Sequence, residues 1–116
     1  MAKKPETGLQ QRIRKALKKR FGGMWRKIWG GPFQDAGFPD LLGCVAGLYI
    51  ALEVKMPGEE PSELQVETIE EIIEAGGIAG VVYGVDEAIA FVEEALARTG
   101  GRRGLRELEK RLGFIL

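Results

Sequence analysis

Residues 39–55 read Pro39-Asp40-Leu41-Leu42-Gly43-Cys44-Val45-Ala46-Gly47-Leu48-Tyr49-Ile50-Ala51-Leu52-Glu53-Val54-Lys55, two apolar runs around a small-residue step at Ala46-Gly47. That pattern predicts a β-hairpin with strands over 41–45 and 48–55. Along the second strand a period of two puts Tyr49, Ala51, Glu53 and Lys55 on one face and Leu48, Ile50, Leu52 and Val54 on the other. A turn centred on 46–47 sets position 40 opposite position 53. Asp40, Glu53 and Lys55 therefore gather at one end of the hairpin, two carboxylates and an ammonium in a small area. Carboxylates so placed repel unless a cation lies between them, and oxygen ligands with room for water suit Mg²⁺ or Mn²⁺. Asp40, Glu53 and the backbone carbonyl of Val54 are thus candidate metal ligands. A metal there would polarise a phosphoryl oxygen and lower the pKa of a bound water. Lys55 would orient that water and stabilise the phosphorane, a contribution of roughly 2.7–4 kcal/mol for one such donor. A lone Glu-x-Lys is ordinarily a weak surface ion pair, and a lone Pro-Asp a turn dipeptide. Their coincidence at paired positions is what points to chemistry.

Outward from the hairpin the chain is a succession of short elements divided by Gly and Pro, without repeats. Leu9, Ile13, Leu17 and Phe21 recur at helical spacing and predict a first helix ending at Gly22-Gly23. Residues 24–29 read as a short strand stopped by Gly30-Gly31-Pro32. After the hairpin, 57–61 is a turn, and Ser62 with Gln65 three residues later is a capping-box signature for a second helix that ends at Gly76-Gly77. Residues 78–83 read as a buried strand, and Asp86 as the cap of a third helix ending at Gly100-Gly101. A last amphipathic segment carries Leu105, Leu108, Leu112, Ile115 and Leu116. A helix between the third and fourth strands predicts that these two run parallel in a mixed sheet. The 116 residues are read as one domain, 1–116.

Composition removes several mechanisms. There is no histidine and only one cysteine, Cys44, so Ser-His-Asp and Cys-His catalysis, His/Cys zinc sites and histidine-base nucleases are excluded. Cys44 sits in an apolar run and is expected to be buried. No apolar segment follows the N-terminal charges, and no stretch is long enough to span a membrane, so the reading is of a soluble, cytoplasmic protein.

The formal charge of zero is a sum of opposed blocks. Residues 1–30 hold ten Lys or Arg against Glu6 alone, a net of +9. Residues 31–100 hold two against fourteen acids, a net of −12, and 101–116 five against two, a net of +3. Arg12, Lys15, Lys18, Lys19 and Arg20 along the first helix, with Arg26 and Lys27 after it, are candidate contacts to DNA phosphates; the alternative is a solvated basic face. Trp25 and Trp29 read as core or dimer contacts in preference to a base-stacking platform.

Four segments in order, Gly37-Phe38-Pro39-Asp40-Leu41-Leu42-Gly43, Leu52-Glu53-Val54-Lys55-Met56-Pro57-Gly58, Ser62-Glu63-Leu64-Gln65 and Ala75-Gly76-Gly77, resemble the VRR-NUC family, the virus-type replication-repair nucleases of the PD-(D/E)XK superfamily. The resemblance runs from about Glu6 to about Asp86, with Phe38 where the family has Ile or Val. It implies an α/β, restriction-endonuclease-like αβββαβ core with a mixed sheet, here followed by extra C-terminal helices. Asp40, Glu53 and Lys55 match the family's catalytic motif, and Gln65 a helix glutamine lining the site. An early acidic residue in the first helix is an additional metal ligand in the family. Glu6, by its distance to Gln10, fits either that role or a partner for the helix dipole. The resemblance also implies phage-type nucleases that cut branched DNA, often as homodimers. Leu105 to Leu116 would form the dimer contact or pack on the chain's own sheet. The expected activity is a Mg²⁺- or Mn²⁺-dependent endonuclease of Holliday-junction or flap-like DNA. The alternatives are a non-catalytic DNA-binding module of the same fold and a partner-binding protein using the C-terminal stripe.

Overall fold

A computed structural model describes residues 5–29 and 37–99. Helix α1, Pro5–Phe21, opens on a proline whose missing N–H is no loss in a first turn. Its buried side is Leu9, Gln10, Ile13 and Leu17. It stops where Gly22 and Gly23 take φ of 67° and 77°, and the Lys18 ammonium donates to the Gly23 carbonyl.

Strands β1 (Met24–Lys27), β2 (Leu41–Val45), β3 (Leu48–Val54) and β4 (Ile78–Val82) form one sheet in that order. The first three are antiparallel neighbours and β3 and β4 run parallel, the mixed sheet expected from the intervening helix. Val45 pairs with Leu48 and Leu41 with Leu52, so the register puts position 40 across from 53. Ala46 and Gly47 both take positive φ, 51° and 83°, as a two-residue hairpin turn of the primed kind requires.

Helix α2, Glu63–Glu74, opens on the expected capping box: Gln65 N–H donates to Ser62 Oγ, and Ser62 N–H to Gln65 Oε1. Helix α3, Val85–Thr99, begins two residues earlier than the sequence suggests. Ala88 N–H donates to the Gly84 carbonyl, which makes Gly84 the cap. Asp86 stands in the first turn, where its charge suits the helix dipole.

Two layers of helix enclose the sheet. Against one face, α1 and α3 pack on Trp25, Leu41, Val45, Ile50, Leu52, Val54 and Val82 in a continuous buried core. Trp25 lies flat against Gly43: a Cβ there would stand 2.4 Å from the indole ring, so only glycine admits this contact. The other face carries α2 and a small cluster of Ala51, Ile69 and Ala79. Cys44 lies opposite Met24 and Tyr49 on the flanking strands. Contrary to expectation it is exposed, as are Met24 and Tyr49, because α2 covers the sheet only around Ala51 and Ala79. The segment from Leu105 to Leu116 lies outside the described residues.

Candidate active site

Asp40 stands immediately before β2, and Ile28 N–H donates to its carbonyl at 2.7 Å, which carries the β1–β2 pairing one step beyond Lys27 and Leu41. Its carboxylate turns across the hairpin and accepts from Val54 N–H at 2.9 Å. Glu53, across the register from Asp40, is 1% exposed. Its Oε1 accepts from the Gln65 amide at 3.1 Å and lies 4.0 Å from the Lys55 ammonium. Its Oε2 is buried and has no hydrogen-bond donor among the described residues. Helix α1 brings its first turn to the same end of the sheet, so that Glu6, Asp40 and Glu53 each offer one oxygen within 4.8 Å of the others.

The electrostatics follow from that crowding. Burial, then the neighbouring Asp40, pushes Glu53 up to about 9, and Lys55 only partly counteracts them. Glu6 is also raised, by burial first and Asp40 next, with Lys55 and Lys27 pulling the other way. Such a group of carboxylates, one with an unpartnered buried oxygen, has the charge and hard-oxygen chemistry of a divalent-cation site. Glu6, Asp40 and Glu53 fit the metal that the sequence calls for.

The structure therefore brings Glu6, Asp40, Glu53, Lys55 and Gln65 to one place. Of the two roles open to Glu6, the position beside Asp40 and Glu53 fits a ligand. Val54 enters through its N–H, which holds Asp40, while its side chain is part of the core.

The candidate phosphate contacts are more scattered. Arg12, Lys15, Lys18 and Lys19 are exposed along α1, and Arg26 is exposed on β1. Lys18 is engaged with the end of its own helix, and Arg20 with Glu93 of α3 at 2.5 Å. Lys27 turns inward and donates to Gln10 Oε1, and Gln10 in turn donates to Glu6 Oε1 at 3.5 Å. Gln10, 4% exposed, is thus part of the site although sequence reasoning used it only as a spacing mark. Its signal was a polar residue on the apolar stripe of α1.

Among the described residues, a four-stranded mixed sheet flanked by three helices makes an α/β fold of the restriction-endonuclease-like class. Within that class two solved structures similar to this chain are VRR-NUC domains. One, titled "VRR_NUC domain protein", superposes with a TM-score of 0.66 at 18% identity over 81% of this chain and 89% of its own. Another, titled "VRR_NUC domain", gives 0.58 at 28% identity over 72% and 92%. The family resemblance read from the motifs is borne out in the fold, which is shared with these VRR-NUC domains. No protein-family model matches the sequence, and no curated protein matches it. No helix among the described residues is long and apolar enough to cross a membrane.

Proposed function

We propose that residues 1–116 form a single Mg²⁺- or Mn²⁺-dependent endonuclease domain that hydrolyses phosphodiester bonds in branched or structured DNA, such as Holliday junctions or flaps. The observation that carries this reading is the meeting of Glu6, Asp40 and Glu53 within 4.8 Å beside Lys55. Glu6, Asp40 and Glu53 would hold the ion, with the Val54 carbonyl completing the protein's ligands. The ion supplies Lewis acidity and a water of lowered pKa when bound.

The chain's own groups do the rest. Val54 N–H fixes Asp40, and Gln65 fixes Glu53, before a substrate arrives, so little reorganisation remains at the moment of reaction. Lys55, 15% exposed at its side chain, is sheltered enough for its charge to act strongly on a nearby phosphate, orienting the nucleophilic water and stabilising the phosphorane. Arg12, Lys15, Lys18, Lys19, Arg26 and Lys27 would hold the flanking phosphates without reading sequence. Two copies related by a two-fold axis would set two sites on the two strands of a junction, in the cytoplasm of a bacterial or phage-infected cell.

The test is cleavage of linear, flap and four-way DNA in Mg²⁺ and in Mn²⁺. Wild type is expected to cut the branched substrates. Asp40→Asn and Lys55→Ala are each expected to slow cleavage by a hundredfold or more, with DNA binding changed by no more than a few-fold. Undiminished cleavage by both variants would overturn the assignment. Binding by the wild type without cleavage in either metal would leave the DNA-binding module in its place.

A further inference from the structure

Beside the carboxylates lies a second feature that the hydrolytic reading does not use. Gln11 and Arg14 of α1, with Arg26, Lys27 and Trp29 from β1 and its end, line an open pocket of about 250 Å³. The two tryptophans of the chain divide sharply here. Trp25 is 1% exposed, and its indole N–H donates to the Gly22 carbonyl at 2.9 Å. Trp29, two residues past the end of the strand, is 65% exposed. The Lys27 ammonium stands 4.6 Å from the centre of the Trp29 ring, and also reaches Gln10 and through it Glu6. The pocket is thus joined to the candidate metal site by a chain of three side chains.

We propose that this pocket binds an unpaired nucleotide next to the scissile phosphate, with the base stacked on Trp29 and the backbone phosphates on Arg14 and Arg26. The proposal rests on the nuclease reading for the position of the scissile phosphate, and it names the substrate class: DNA with a single-stranded segment at the cut. Three cations around one exposed indole match the chemistry of a nucleotide, a polyanion carrying a flat aromatic face, and stacking on an aromatic platform is how single strands are held without sequence readout. A base inside an intact duplex has no free face to offer, so the pocket favours flaps and unpaired ends over continuous duplex.

Intrinsic fluorescence tests this in EDTA, where nothing is cut. A single-stranded oligothymidine is expected to quench wild-type fluorescence, and Trp29→Phe to lose the quench, because Trp25 is buried. Trp29→Ala is expected to weaken oligothymidine binding roughly tenfold and duplex binding less than twofold. Trp29→Phe, which keeps an aromatic face, should recover most of the affinity. Equal losses on single strand and duplex, or no loss on either, would overturn the proposal. Trp29 lies at the surface, and thermal unfolding of each variant checks that the fold is kept. Cleavage by Asp40→Asn, measured separately in Mg²⁺, reports on the nuclease reading, so failure of one does not imitate failure of the other.

Discussion

The two faces of the sheet are built to different rules. Against α1 and α3 the core is large and apolar, twelve buried residues among those described, including Leu52, Val54 and Trp25. Against α2 the described residues form a smaller buried cluster of Ala51, Ile69 and Ala79, and beside it Glu53 is buried with one oxygen that has no hydrogen-bond donor among the described residues. β3 serves both faces, because alternate residues point opposite ways. Leu52 and Glu53 are neighbours in sequence, yet one is buried among hydrocarbon and the other among acids. Stability is concentrated on the first face, which leaves the second free to hold a crowd of carboxylates that a divalent cation would favour.

Substituting those neighbours should pull the two faces apart. Glu53→Gln is expected to lower cleavage by a hundredfold or more while raising the Tm of the metal-free protein at neutral pH. Leu52→Ala is expected to cost about 2–5 kcal/mol and lower Tm by on the order of 10 °C. If Glu53→Gln destabilises as Leu52→Ala does, the division between faces is wrong.

A pH series sharpens the same contrast. The unfolded chain ionises Glu53 near 4.5, whereas the folded protein keeps its proton until about 9. Between those values the unfolded state has released a proton that the folded state still holds, so metal-free stability should fall as pH rises across that window. The fall should flatten in Glu53→Gln. A divalent cation replaces that proton, so the Tm gain from Mn²⁺ should be larger at pH 8 than at pH 5. A gain independent of pH would mean that Glu53 is not a ligand.

Smaller effects are expected within the first face. Gly43→Ala would force the Trp25 ring from its seat, at a cost of about 1–3 kcal/mol measured by denaturant unfolding. Ala46→Gly should add about 0.5 kcal/mol, since alanine in a left-handed turn is disfavoured; no gain would mean that core contacts of Ala46 outweigh its backbone strain.

The hairpin was legible because a period of two and a short turn settle register locally: Ala46-Gly47 alone aligns Asp40 with Glu53. The α2 start was legible for a similar reason, since Ser62 and Gln65 satisfy each other's backbone within four residues. What escaped depended on neighbours distant in the chain. Cys44 was expected inside because its strand is apolar, but its burial depends on how far α2 reaches. Lys27 was grouped with the phosphate contacts, and its additional bond to Gln10 depends on the packing of α1 on β1. Trp29 was grouped with Trp25 by spacing, but the strand ends between them. For Glu6, the sequence left two roles, and the approach of α1 to the sheet's end favours one.

The capping box of α2 has a consequence for chain length. Gln65 Oε1 accepts the Ser62 N–H, so the amide's other end must be the donor that meets Glu53 Oε1. Its orientation is set by where the helix begins. Shifting that start by one residue would rotate position 65 about 100° around the helix axis and withdraw the amide from Glu53. Surface turns such as the one between Met56 and Ser62 ordinarily tolerate insertions and deletions. This one is expected to accept changes of residue but not of residue number.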